Sequence, residues 1–414
     1  MEIPRPVPAA PTVAYRPWRP NPWALTVITA ALVGLLLGAA LSLALARGPL
    51  AKYEYHLWRW EAEHLAGSAF ALVGIGPDPG EVEAEEALRA YFGLTSRIRA
   101  ELESEEPDHA LVEALMSERS LYEKDVERVV RGYVDEAIRE AGLQRGLPLF
   151  RDVRLTWPPV DFRLTGPPRV LVRSPRNEIR RLGDTLLRSD LTFAEIEDIE
   201  QRVDDEDTVS VVVTIGGLAA YPAIILDNRS YRSMLEVVAH EWTHHYLAFY
   251  PLGMKWGSGG EMTTLNESVA DVVGRELARM IDERHPIEFK EGMDGRAPPA
   301  EPPTIDFRQV MHNLRLRVDA LLAEGKVAEA EALMEQTRQH LAEDGIYIRK
   351  INQAYFAFYG SYGESPASSS PVGPMVDELW ARTQDVGLFL ALVREVTSLE
   401  ELERLLEKLR EGEP

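Results

Sequence analysis

The chain has 414 residues, of which 45% are hydrophobic and 27% charged, a composition typical of a folded protein with a sizeable core. Its formal net charge of −22 disfavours nucleic acid as a partner, because the phosphates would be repelled. The absence of cysteine excludes disulfide bonds, thiolate metal ligands and a cysteine nucleophile.

The N-terminal part predicts a tail followed by a membrane anchor. Residues 1–22 contain seven prolines, so we expect a disordered tail. Residues 24–46 carry no charge, and a helix of this length can cross a bilayer. We therefore predict a transmembrane helix over 23–46. A cleaved signal peptide is the alternative, but this apolar run is longer than the core of most signal peptides.

The predicted anchor has two consequences for location and assembly. The flanking charges favour a single-pass membrane protein whose large C-terminal domain lies on the extracytoplasmic side. Small residues recur every four positions within the apolar run and could let two such helices form a homodimer, although chance spacing in a span rich in alanine and glycine is the favoured explanation.

Residues 47–147 predict a helical stalk or small helical domain. Helices are expected over about 53–73, 83–105 and 108–141, because apolar residues recur there at spacings of three, four and seven. We find no recognisable catalytic set in this region.

Residues 148–414 predict a second domain with strands first and helices afterwards. Short β-branched runs such as "TVSVVVTI" and "AIILD" indicate strands, interrupted by a predicted helix over 177–187. Helical patterns follow over 231–250, 264–284, 306–324 and 327–343. The fold class predicted for the whole chain is α+β and mostly helical: a transmembrane helix, a helical stalk, a small β-sheet and a helical lobe.

The segment "VVAHEWTHHYL", which begins at residue 237, predicts a metal site. His240 and His244 are four residues apart, so on a helix they point to the same side and could bind one zinc ion. Glu241 would lie beside the ion without binding it. His245 is rotated from His244 by about 100°, and we expect it to pack or to line the pocket.

A third ligand and its support are predicted downstream, in "TTLNESVADVVG". Glu267 can supply a carboxylate oxygen, and Asp271, one turn further on, can accept the second N–H of a ligating histidine. Three protein ligands leave the fourth position of a zinc ion for water, as in catalytic sites.

These two motifs resemble those of the gluzincin metallopeptidases, and in particular the thermolysin-like group. The matching segments are Val237–His244, "VVAHEWTH", and Asn266–Gly274, "NESVADVVG", and the resemblance covers about 40 residues. It implies that His240, His244 and Glu267 bind zinc, that Glu241 is the general base and that Asp271 orients a histidine.

The resemblance also implies a substrate-binding edge strand and a residue that stabilises the oxyanion. The glycine pair Gly216 and Gly217 lies between two predicted strands and would let an extended peptide approach, although a plain hairpin turn is the alternative. Related enzymes use a tyrosine or a histidine for the oxyanion. Tyr355, Tyr359 and Tyr362 recur near one helix face, and of these we favour Tyr359, the alternative being a packed aromatic face.

The function predicted from the sequence is a membrane-anchored, zinc-dependent metallopeptidase that acts on a peptide or protein substrate. The alternative is a membrane-tethered scaffold whose zinc site is structural or inactive. The presence of Glu241 speaks against the scaffold, because a structural metal site does not require a base.

Overall fold

The computed structural model describes residue 48 and residues 50–71, 81–147, 150–257, 260–296 and 305–411. The described residues from 50 onward belong to one compact unit. The helices are α1 Leu57–Ala71, α2 Glu81–Leu102, α3 His109–Ser120, α4 Glu123–Glu140, α5 Phe193–Val203, α6 Tyr231–Leu247, α7 Pro251–Met254, α8 Gly260–Arg284, α9 Phe307–Ala323, α10 Val327–Glu343, α11 Gln353–Tyr359, α12 Val372–Thr383, α13 Val386–Val393 and α14 Leu399–Glu411.

The strands form small sheets between these helices. They are β1 Arg145–Leu147, β2 Phe150–Leu155, β3 Phe162–Leu164, β4 Arg169–Pro175, β5 Gly183–Leu187, β6 Thr208–Thr214, β7 Gly217–Leu218 and β8 Ala223–Ile225. β1 and β2 form an antiparallel hairpin, and β5-β4-β6 is an antiparallel sheet. In the sheet β3-β8-β7, β3 runs parallel and β7 antiparallel to β8, so β7 lies at the edge.

The largest hydrophobic core surrounds the crossing of α6 and α8. Trp242 of α6 and Val273 of α8 are almost fully buried in it, together with Leu88 of α2, Val130 of α4 and Phe389 of α13. The helices that the sequence predicts as a stalk thus contribute to the same core as the two helices that carry the metal motifs.

The sheet β5-β4-β6 shows how alternation along a strand serves two layers. Leu171 and Val212 face α5, where they pack with Ile196 and Ile199. The alternate residues of β4 and β6 face α11. Because successive side chains of a strand point to opposite faces, one apolar run fills both layers.

The prediction of a transmembrane helix, and with it of a membrane location, is corrected. Nowhere in the described residues does a helix combine the length and the apolar character needed to cross a bilayer. The longest, α8, has 25 residues but carries charged residues along its length, as expected of a helix that packs one face on a core. The apolar run at 23–46 and the tail at 1–22 lie outside the described residues.

The helix predicted over 177–187 is also wrong. Residues 183–187 form β5, which pairs with β4 from Arg173↔Gly183 to Arg169↔Leu187. The helix comes later, as α5, and begins with a capping box in which Thr192 and Glu195 bond each other's backbone N–H. Pairing with β4 overrides the local helical tendency of 177–187. The start of α5, in contrast, is marked in the sequence by its Thr-x-x-Glu capping box.

Gly274 lies where α8 crosses α6, and its substitution by alanine should destabilise the fold. A Cβ there would be 2.6 Å from the Glu236 carbonyl oxygen and 3.3 Å from the His240 Cβ. We expect Gly274→Ala to lower the free energy of unfolding by about 1–3 kcal/mol, because the clashing Glu236 carbonyl oxygen belongs to the backbone and cannot move aside as a side chain could. The measurement is urea-induced unfolding followed by circular dichroism.

Gly132 of α4 supplies the matched control. A Cβ there would meet no neighbouring atom within 4 Å, so Gly132→Ala should stabilise the protein by about 0.4–1 kcal/mol through the unfolded state. Equal unfolding midpoints for the two variants would contradict the proposed tight crossing.

Candidate metal centre

Helices α6 and α8 bring three ligand atoms to one point. The Nε2 atoms of His240 and His244, one turn apart on α6, are 3.0 Å from each other. Oε2 of Glu267, on α8, lies 3.4 Å from the His240 Nε2 and 3.5 Å from the His244 Nε2. This His-His-Glu group could hold a metal ion.

Hydrogen bonds behind the histidines fix which ring nitrogens face the centre. The Nδ1 of His240 is 2.9 Å from the Asp271 carboxylate, and the Nδ1 of His244 is 2.8 Å from the Asn266 side-chain oxygen. Both oxygens accept hydrogen bonds, so each Nδ1 carries a proton, and each Nε2 would present a lone pair to a metal ion once any proton on it is displaced. Burial alone would lower the pKa of His240, but Asp271 and Glu267 outweigh it and raise that pKa well above its usual value.

The donor set and its spacing fit a small cation. Two imidazole lone pairs and a carboxylate oxygen at 3.0–3.5 Å repel one another unless positive charge lies between them. A tetrahedral ion with ligand bonds of about 2.0–2.1 Å would separate its ligands by about 3.3–3.4 Å. The observed separations bracket that value.

Trp256 holds the second oxygen of Glu267, a contact that the sequence analysis missed. Its indole N–H donates to Oε1 at 3.1 Å, and its ring centroid lies 6.3 Å from that of His244. The side chain is 54% exposed, so it forms part of the rim of the site. Trp256 lies between α7 and α8, outside both motifs, and no sequence signal marked it.

Glu241 lies beside the metal-binding group and against the edge strand. Burial raises its pKa, and the neighbouring histidines His240 and His244 oppose that rise. A Cβ on Gly217 would overlap the Glu241 carboxylate, so the bare backbone of β7 is what leaves room for this side chain.

Arg229 contacts Gly216, the residue directly before β7. Its Nε donates to the Gly216 carbonyl oxygen at 3.3 Å, and its Nη1 donates to the Ser233 hydroxyl at 2.6 Å. A Cβ on Gly216 would overlap the guanidinium group. Both glycines of the predicted pair therefore sit where a side chain would displace a charged neighbour, and Gly217 borders the metal centre.

His245 points away from the metal-binding group. It is partly buried, and its Nε2 donates to the Ala220 carbonyl oxygen at 2.8 Å. Burial lowers its pKa to about 4, so the ring is neutral near pH 7. The side chain thereby anchors the connection between β7 and β8.

Tyr362 lies within reach of the charges of the metal centre. Burial raises the pKa of Tyr362 well above its usual value, and the charges of Glu267, Glu241 and Asp271 raise it further. Tyr359 packs instead on Tyr355, with ring centroids 4.4 Å apart. Helix α11 ends at Tyr359, so helical spacing no longer describes where Tyr362 lies.

Comparison with protein-family models, curated proteins and solved structures finds no match for this chain, so the resemblance to gluzincins rests on the two motifs.

Proposed function

We propose that this protein is a zinc-dependent metallopeptidase, a gluzincin-like hydrolase that uses Glu241 as general base. The observation that carries the proposal is the placement of a buried carboxylate, Glu241, between a His-His-Glu group and the glycine of an edge strand. A purely structural zinc site usually has four protein ligands, and the group formed by the described residues has three.

The chain's own residues supply the proton transfers of peptide hydrolysis. A bound zinc ion would supply Lewis acidity, which acidifies water and polarises a carbonyl group. Glu241 would take the proton from the attacking water and deliver it to the leaving nitrogen. Because burial raises its pKa, this carboxylate is a stronger base than a solvated one.

The edge position of β7 supports an extended peptide as the substrate. β7 pairs with β8 along one side, and among the described strands it is the last of its sheet. A peptide can add to such an edge through main-chain hydrogen bonds. Because Gly217 has no side chain, the backbone of the bound peptide could approach the Glu241 carboxylate.

Substitution of Gly217 by alanine should test this close approach. The new methyl group would displace the Glu241 carboxylate, and a displacement of about 1 Å can cost about 10²-fold in rate. We expect Gly217→Ala to lower kcat by about that factor while the protein stays folded. In the control Gly166→Ala, the nearest atom to the new Cβ would be 3.8 Å away, so activity should not change. Equal kcat values for both variants would remove Gly217 from the site.

Tyr362 is our candidate for the donor that stabilises the oxyanion. Its raised pKa keeps the hydroxyl protonated, and it lies close enough to Glu241 and Glu267 for their charges to act on it. We expect Tyr362→Phe to lower kcat by about 10²–10³-fold with unchanged metal content, since loss of one such donor typically costs this much. The control is Tyr359→Phe, which should keep wild-type kcat; a larger loss in the control would favour the tyrosine predicted from the sequence.

Cleavage of a mixed peptide library tests the proposed function as a whole. The full chain, loaded with zinc and verified by elemental analysis, is incubated with the library, and the products are identified by mass spectrometry. We expect cleavage that stops when a chelator removes the metal. A fully loaded protein that cleaves no peptide would leave a structural role for the metal.

A further inference from the structure

A cavity of about 400 Å³ lies at the C-terminal end of α6. It is lined by the turn after α4, by Arg145 of β1, by the aromatic residues Tyr246 and Tyr250, and by the start of α13 with Arg394 beyond it. Tyr246 follows His244 by about 200° of helix rotation, so the cavity and the metal centre lie on different faces of α6.

Two guanidinium groups lie close to one aromatic ring in this cavity. The Cζ of Arg145 is 4.8 Å and that of Arg394 is 4.3 Å from the centroid of Tyr250. Each contact is a favourable cation–π interaction. The two positive charges are nevertheless closer to each other than the ~10 Å over which salt screens charges at 0.1 M, so they repel.

Acidic groups in the described residues compensate these charges only in part. Arg394 lies 3.4 Å from the Glu395 carboxylate, which does not line the cavity. Arg145 forms no ion pair with any carboxylate that the structure describes. The acidic residue in the lining, Asp385, uses one oxygen to cap α13 by accepting from the Leu388 N–H at 2.7 Å. In a chain of net charge −22, this cavity is locally positive.

Two tyrosine hydroxyls add hydrogen-bond donors. Nη1 of Arg394 donates to the hydroxyl of Tyr246 at 2.6 Å and to that of Tyr250 at 2.9 Å. Burial, followed by the Tyr250 hydroxyl, raises the pKa of Tyr246 to about 12, so this group stays protonated at neutral pH. A hydroxyl that accepts a bond from arginine keeps its own proton to donate.

We infer that this cavity binds a small oxyanion, a phosphate or a carboxylate, between Arg145 and Arg394. A guanidinium group presents parallel N–H donors that match two oxygens of either anion. The anion would neutralise the repulsion between the arginines and accept from the tyrosine hydroxyls. The inference does not depend on peptidase activity, because no metal ligand lines the cavity.

Isothermal titration calorimetry of the full chain tests the inference with two probes at constant ionic strength. Inorganic phosphate represents the free anion, and N-acetyl-alanyl-alanine represents a peptide carboxylate. We expect saturable binding of at least one probe, weakened at least tenfold by Arg145→Gln. The control Arg154→Gln removes an exposed arginine from the adjacent strand β2 and should bind like wild type.

The binding results distinguish a specific anion site from non-specific attraction by charge. Binding of phosphate alone, or of the peptide alone, with the expected dependence on Arg145 supports the site and identifies the source of its anion. No saturable binding of either probe overturns the inference, and so does equal weakening by Arg145→Gln and Arg154→Gln, which would mean non-specific charge. If Arg145→Gln does not fold, Arg145→Lys keeps the charge but loses the planar fork; wild-type affinity in that variant also overturns the site.

Discussion

Replacement of Glu241 by glutamine should lower kcat for peptide hydrolysis by about 10²–10⁴-fold, the usual contribution of a general base. The amide has nearly the same shape as the carboxylate but cannot accept a proton. Glu241 is not one of the three residues that form the metal-binding group. The metal content should therefore stay at the wild-type level. Steady-state kinetics on a peptide substrate, combined with elemental analysis of the same samples, give both quantities.

Glu236→Gln is the matched control for this substitution. Glu236 lies on the same helix, but its carboxylate pairs with Arg232 at 3.0 Å and is one-third exposed. Removal of that charge should change kcat little. If Glu241→Gln retains the wild-type rate, Glu241 is not the base and the proposed mechanism fails.

Replacement of His244 by alanine should abolish stable zinc binding. The substitution removes one of three ligand atoms, so the affinity should fall by more than the 10–100-fold that loss of a supporting hydrogen bond costs. Asp271→Asn should give that smaller loss, because the carboxylate only holds the Nδ1–H of His240, at 2.9 Å. Competition with a chromogenic chelator measures both affinities.

The zinc affinity of the wild type should fall as the pH is lowered. In the absence of metal, Asp271 and Glu267 overcome the effect of burial and raise the pKa of His240 well above its usual value, so the ion must displace a proton. Affinity is therefore expected to rise with pH.

His340→Ala is the control for His244→Ala, because His340 lies on α10 with its side chain 64% exposed; this variant should bind zinc like wild type. Unchanged zinc affinity in His244→Ala would contradict the assignment of His244 as a ligand.

The metal-binding group was accessible from sequence because helical spacing determines it almost alone. A separation of four residues places His240 and His244 on one side of α6, and Glu267 and Asp271 on one side of α8. Only the crossing of the two helices had to be supplied by the fold. Gly274, which permits that crossing, belongs to the second motif.

Sequence reasoning named Tyr362 without favouring it, and it missed Trp256. Tyr362 follows the end of α11, and Trp256 lies between two helices, so their approach to the centre depends on tertiary packing. Asn266, whose side-chain oxygen holds the Nδ1 of His244, stands inside a motif but carried no spacing signal of its own.

At the level of the fold, local composition was enough for some strands and not for others. Short β-branched runs marked β4 and β6, whereas 177–187 became strand β5 through pairing that a local pattern does not contain. The membrane prediction came from a hydropathy count over one window. That window lies outside the described residues, and no helix within them has the length and apolar character needed to cross a bilayer.

Titration of zinc into the chelator-treated full chain, with peptide hydrolysis followed at each addition, tests directly whether the proposed activity depends on zinc. We expect activity to be absent at the start, to rise in proportion to added zinc and to reach its plateau at about one equivalent, since the described residues form one three-ligand group. Hydrolysis that persists without metal, or one equivalent of bound zinc without any hydrolysis, would contradict the proposed zinc-dependent activity.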